Sequence, residues 1–202
     1  GRMAEVICRT WQTAHKMKAQ RGPLPGDEGT GADNSRIERY IAKYTLNPAK
    51  VAGIDQYIGS LEPGKMADIA LWEPEFFGIK PKYVIKSGFP VHSEMGEANG
   101  SLMTCEPVMQ RSREGAVGKA KNALSTTFVS QAAYENDIGD ELDLDSTVRP
   151  VEGTRDVGKS DMLHNDYAPD DIEIDAQTFE VEVDGEHVTC EPAEELPLAQ
   201  RY

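Results

Sequence analysis

A chain of 202 residues with 39% hydrophobic and 28% charged side chains can bury a sizeable core and has the composition of a soluble globular protein. No apolar run approaches the roughly 20 residues needed to span a bilayer, and Gly1-Arg2-Met3 opens no secretory signal, so the expected compartment is the cytoplasm. The net charge of −14 is uneven: residues 1–100 carry 13 Lys and Arg against 12 Asp and Glu, residues 101–202 carry 8 against 23, and the resulting field argues against nucleic acid or anionic membrane as a partner.

In chain order, Met3, Val6, Ile7, Trp11, Ala14 and Met17 recur at intervals of three and four, which predicts an amphipathic helix ending at Gly22 and Pro23. Residues 22–33 read as a surface loop, and Ser35 with Glu38 forms a possible capping box before a helix over residues 36–44. Asn47-Pro48 starts a short helical turn that Gly53 closes. The period then becomes extended, predicting strands over residues 67–72, 83–86 and 90–92. Beyond Asn99-Gly100 an irregular stretch runs to Asn122, followed by a strand over 125–130, a helix over 131–144 and an extended piece over 147–151. Residues 170–190 carry the clearest hairpin, with alternation over 178–183, a type I′ turn at Asp184-Gly185 and a return over 186–190. There is no internal repeat or low-complexity tract.

Residue types that could carry chemistry are scattered. Cys8, Cys105 and Cys190 are odd in number and far apart, which fits reduced thiols rather than a disulfide framework, and no CxxC is present. His15, His92, His164 and His187 show neither HxH nor HExxH spacing and read as packing or surface residues. Asp170 with Asp171 and Glu194 with Glu195 could do acid–base work only if burial raised one of each pair, and their charge-rich, Pro-flanked settings predict a solvated face. Gly26, Gly29 and Gly31 lack the preceding strand and the Gly-Lys-Ser/Thr ending of a phosphate loop. Lys16, Lys18 and Arg21 suit the dipole at a helix C-terminus, while Trp11 and Trp72 are expected in the core. The dispersed carboxylates also suit a strongly solvated surface in concentrated salt, an expectation checked by stability against salt concentration.

Several stretches, in order, resemble the urease α (catalytic) subunit family, a branch of the nickel-dependent amidohydrolase superfamily. They are Arg9-Thr10-Trp11-Gln12-Thr13-Ala14-His15-Lys16-Met17-Lys18, Arg39-Tyr40-Ile41-Ala42-Lys43-Tyr44-Thr45, Gly59-Ser60-Leu61-Glu62-Pro63-Gly64-Lys65-Met66-Ala67-Asp68, Ser130-Gln131-Ala132-Ala133 and Ala199-Gln200-Arg201-Tyr202. The wording departs from the family mainly between Leu102 and Asn122.

The resemblance implies an α/β fold class: the end of a (β/α)8 TIM-type amidohydrolase barrel, part of an accessory β-sandwich and a mixed α+β C-terminal extension, with the barrel incomplete in this chain. The corresponding divisions are residues 1–58, 59–100 and 101–202. Members of the family hydrolyse urea to ammonia and carbamate with two nickel ions bridged by a carbamylated lysine, held by histidines and an aspartate. None of those motifs matches here, and the family's nickel-binding aspartate lies a few residues before the position of Gly1. The resemblance therefore assigns this chain no catalytic, substrate-binding or metal residue, and makes it a structural C-terminal portion. The partners implied are the remaining N-terminal part of the α subunit, the urease β and γ subunits and the urease accessory proteins, in a homo-oligomer of the complex. The other readings are a free-standing β-rich assembly or binding module, or another cyclic-amide amidohydrolase that shares the Gly-Ser-Leu-Glu-Pro-Gly run.

Overall fold

The helix predicted at the start forms as α1, Met3–Arg21, in a computed structural model that describes residues 3–78, 81–93, 118–165 and 169–195. Its buried positions are Cys8, Gln12 and Ala14, and Trp11 is half-buried. Glu5 in the first turn and Lys18 and Arg21 in the last complement the helix dipole. Gly22, at φ +75°, stops the helix while its N–H still reaches the Lys18 carbonyl at 2.9 Å.

The second helix, α2 (Asn34–Ala42), begins earlier than the pattern predicts, and its cap is not the expected Ser35/Glu38 box. Its N-cap residue Asp33 makes no side-chain capping bond. Instead Asp27, 3% exposed at the end of a 3-10 turn (Pro25–Asp27), accepts the Ser35 N–H at 3.1 Å and the Arg36 N–H at 3.3 Å. A carboxylate eight residues upstream thus satisfies the free donors of the first turn, freeing Glu38 for another role. Helix α3 (Leu46–Val51) follows, with Pro48 in its first turn where the missing N–H is harmless.

The three extended segments that come next make an antiparallel meander, β1 (Ile69–Leu71), β2 (Tyr83–Lys86) and β3 (Phe89–Ser93), in the order β1-β2-β3 with a register shift at Val84/Ile85. Ser87 and Gly88 both adopt positive φ in the tight turn between β2 and β3. Asp68 clips that turn, accepting from the Ser87 N–H at 2.8 Å and from Lys86 Nζ at 2.6 Å.

After the short helix α4 (Ala120–Ala123), strand β4 (Thr126–Val129) and strand β5 (Thr147–Pro150) pair in parallel, in register Thr126↔Thr147 to Val129↔Pro150. Parallel neighbours need a crossover. It is built from two short helices, α5 (Gln131–Glu135) and α6 (Ile138–Glu141), rather than the single helix expected over 131–144. Ser130 caps α5 by accepting the Ala133 N–H, and Asp137, at φ +52°, breaks the path between the two helices.

The last sheet has the order β6-β7-β8: Ile172–Ile174, Val181–Val183 and Glu186–His187. The Asp184-Gly185 turn forms as expected, with both residues at positive φ. Strand β7 is shorter than the alternation predicts because Asp175 Oδ1 accepts the Gln177 and Thr178 N–H groups, each at 2.7 Å, folding that stretch into a turn.

Among the described residues the buried apolar ones all come from the first three helices: Cys8, Ala14, Tyr40, Ala42 and Ala49. Trp11 meets Phe77 edge-on at 4.9 Å between centroids, and Phe77 in turn lies 5.3 Å from Trp72. Val6 is 56% exposed, so the helix keeps an apolar side chain in the open while Trp11 finds cover within the chain.

Candidate functional site

The histidines stay apart. His15, His164 and His187 are exposed and His92 is half-buried on β3. Asp170, Asp171, Glu194 and Glu195 are exposed, as a solvated face requires. Cys8 is buried and free, Cys190 is exposed and free, and Cys105 lies outside the described residues. Gly29 and Gly31 take positive φ in the loop that leads to α2, with open space where a side chain would stand. Among the described residues no group of three or more His, Cys, Asp or Glu is placed to share a metal ion. A cleft of about 360 Å³ beside the crossover is walled by Tyr134, Asp137, Asp140, Ser146 and Val148, with no histidine or cysteine among its lining. Its two carboxylates, Asp137 and Asp140, are both exposed to solvent.

What the structure does build is a seam, in which residues far apart in sequence fasten the chain after residue 118 to the helices and loops before residue 67. Asn47, 9% exposed in α3, grips the backbone of Leu163 from both sides: its Nδ2 donates to the Leu163 carbonyl at 3.1 Å and its Oδ1 accepts the Leu163 N–H at 2.9 Å. The next residue, His164, is held at φ +53° and places Nδ1 3.7 Å from Glu38 on α2. Both ring and carboxylate are well exposed, so that ion pair adds little to stability. Nearby, the Gly53 carbonyl accepts the Glu152 N–H at 2.8 Å. Tyr57 lies against Phe128 on β4 with centroids 5.8 Å apart and beneath the Arg149 guanidinium at 5.0 Å. Thr126 Oγ1 donates weakly to Met66 Sδ at 3.5 Å.

A second set of contacts holds the amino-terminal side of the seam rigid. Arg36, 5% exposed, donates Nη2 to the Gly22 carbonyl at 2.5 Å and pairs with Asp33 at 3.5 Å, while Lys18 also pairs with Asp33. Burial pushes the Asp27 carboxyl up, but the Ser35 and Arg36 hydrogen bonds and the Arg36 charge together hold it below its ordinary value. Burial pushes the Tyr44 hydroxyl up; it lies close to the Trp11 indole N–H without reaching good hydrogen-bond geometry.

Sequence reasoning misses Asn47 and Asp27. Asn47-Pro48 reads as a helix start and Asp27 as a loop acid; nothing local points to their distant partners. Replacing Asn47 by Ala strands the Leu163 N–H and carbonyl together. The expected loss is about 1–3 kcal/mol, with faster amide exchange at Leu163 and its neighbours. Unchanged exchange there would show that the grip is dispensable.

Comparison with known proteins places these features in a family context. A family model described as Amidohydrolase family matches residues 1–96, in keeping with the mixed helix and strand content. Urease subunit alpha of Haloquadratum walsbyi is 83% identical over 202 residues, all of this chain and 35% of that protein. The subunit from Natronomonas pharaonis is 75% identical over the same span, again 35% of its length. That from Haloarcula marismortui is 71% identical, with 36% of its length covered. The chain thus spans about a third of the length of the curated relatives it matches. Its similarity to urease alpha subunits extends from end to end.

Proposed function

We propose that this chain is the structural C-terminal portion of a urease alpha subunit, supporting hydrolysis of urea to ammonia and carbamate at a centre whose ligands lie in the rest of that subunit. The observation that carries this reading is 71–83% identity to urease alpha subunits over all 202 residues. The alternatives, another cyclic-amide amidohydrolase or a free-standing assembly module, gain no support from those relatives.

In this reading α1 and the helices after it close a TIM-type amidohydrolase barrel (residues 1–58), the β1–β3 meander belongs to an accessory β-sandwich (59–100), and residues 101–202 form the acidic extension. The cofactor would be two nickel ions with a carbamylated lysine, supplying Lewis-acid activation of water and urea. The described residues here offer no ligand set for it. This chain's own contribution is mechanical. The Asp27 and Arg36 contacts fix the end of α1 against the start of α2, and the Asn47 grip and the Tyr57 stack fasten the extension to that support. The remaining alpha-subunit portion, the β and γ subunits and the accessory proteins would be its partners, in an oligomer of the whole complex. No described helix is long and apolar enough to cross a membrane, which suits a cytoplasmic enzyme.

The test compares the 202-residue chain alone with the same chain produced together with the remainder of the alpha subunit and the other urease subunits. Nickel content and ammonia release are measured in both. The chain alone is expected to hold no stoichiometric nickel and release no ammonia, while the reassembled complex does both. Tight binding of two nickel ions and ureolysis by the chain alone would overturn the reading.

A further inference from the structure

The β6–β8 sheet closes hydrogen bonds within itself. The Asp171 N–H donates to Asp184 Oδ1 at 2.9 Å, and the Asp184 N–H returns to the Asp171 carbonyl at 3.1 Å. The Asp175 N–H reaches the Glu180 carbonyl at 3.0 Å, and the Val188 N–H the Val181 carbonyl at 2.8 Å. Of residues 170–195 all but Val181 and Val183 are exposed, so little apolar burial holds this unit against the rest of the chain. Residues 170–191 also carry nine Asp and Glu and neither Lys nor Arg, so any ammonium or guanidinium that meets them comes from elsewhere.

Two lysines reach the unit, one where the chain enters it and one where the chain leaves. At the entry, Lys159, in the 3-10 turn Lys159–Asp161, donates Nζ to the Pro169 carbonyl at 2.7 Å and to the Asp170 carbonyl at 3.2 Å, 4.0 Å from the Asp170 carboxylate. At the exit, Lys16 of α1 donates Nζ to the Glu191 carbonyl at 2.9 Å, across 175 positions of sequence. An ammonium donates in several directions and accepts in none. The carbonyls therefore fix where each lysine sits, while the acidic field of the unit draws it in.

We propose that residues 170–191 form a strap that lifts from the rest of the chain as one piece and is held down by two clasps, Lys16 and Lys159. Both clasps bond the main chain beside the strands and not within them, so opening them leaves the β6–β8 pairing intact. When Lys16 lets go, the exit end of the strap leaves α1; when Lys159 also lets go, the entry end follows. Exposed bonds of this kind contribute little each, which lets the strap open and reclose as a local event without unfolding the protein.

The test uses NMR on the full chain with a nitroxide on Cys190, which is exposed and free beside Glu191; Cys8 is buried, and Cys105→Ser removes the third thiol. With the strap down, the nitroxide lies next to Lys16 and broadens the His15 and Met17 amides. Lys16→Met and Lys159→Met are each expected to raise the ratio of open to closed strap about two- to five-fold, and the double variant to raise it further, read as a loss of that broadening. Amide protection at Asp175 and Asp184, whose bonds lie inside the strap, should persist in all three variants. Lys18→Met removes a charge from the same helix, but Lys18 pairs with Asp33, so the broadening should stay. Undiminished broadening in the double variant would overturn the proposal, because the lysines would not be what fastens the strap. Loss of Asp175 and Asp184 protection together with the broadening would overturn it too, since the sheet would then come apart instead of lifting whole. An equal loss in Lys18→Met would replace the two clasps with a diffuse attraction.

Discussion

Replacing Gly53 with Ala is expected to destabilise the full chain by about 2–4 kcal/mol and to do so by prising β5 away from α3. Two effects act together. Gly53 sits at φ +66°, a conformation that costs an L-residue about 1–2 kcal/mol. A methyl group there would also overlap the Glu152 carbonyl oxygen and come within 3.0 Å of Thr154 Cγ2. The backbone oxygen cannot swing aside as the tip of a flexible side chain could. The segment that follows β5 must therefore move, and with it the Glu152 N–H bond to the Gly53 carbonyl. Urea denaturation should show the lost stability, and amide exchange should quicken first at Glu152. A loss below about 0.5 kcal/mol, the range of an ordinary surface substitution, would mean that the seam at this point is slack.

This close approach also marks the limit of what the amino-acid order discloses. The recurrence of Met3, Val6, Ile7, Trp11, Ala14 and Met17 reads as a helix because its spacing is local, and α1 ends at Arg21, just before Gly22. The Asp184-Gly185 turn is legible for the same reason: two adjacent residues determine it. Gly53 reads only as the end of a helical turn, since the Glu152 oxygen that demands a glycine comes from the segment after β5, almost a hundred residues later. Ser35 and Glu38 have the spacing of a capping box, yet Asp27 takes the donors because the loop folds it underneath the helix. The parallel pairing of β4 with β5 is likewise invisible in either strand alone. Only the two intervening helices hint at a crossover, and the periodic pattern over 131–144 conceals the break at Asp137. Among the site features, the dispersal of the histidines is legible from spacing, whereas the Asn47 grip on Leu163 depends on geometry that spans 116 positions.

The largest loss is expected from Trp11→Ala, at about 3–5 kcal/mol, the usual range for deleting a large aromatic from a packed site. Trp11 projects from α1 onto the segment that follows β1, where Phe77 meets it edge-on at 4.9 Å and links it to Trp72 at 5.3 Å. Such aromatic pairs contribute about 0.5–1.5 kcal/mol beyond the area they cover. Gly78 lies so close beneath the indole that any side chain there would collide with it. The cluster is therefore filled to capacity, and truncating the indole leaves a void that Gly78 has no side chain to fill. In the proposed role α1 is the support behind a catalytic centre, and this cluster couples it to the β meander. Trp11→Phe should retain the contact with Phe77 and lose markedly less. The chain has only two tryptophans, so in Trp11→Ala the emission of Trp72 reports on the damaged cluster itself and should shift to the red as water enters. An unfolding free energy within about 1 kcal/mol of wild type, with Trp72 emission unmoved, would show that α1 is held by its small buried residues alone.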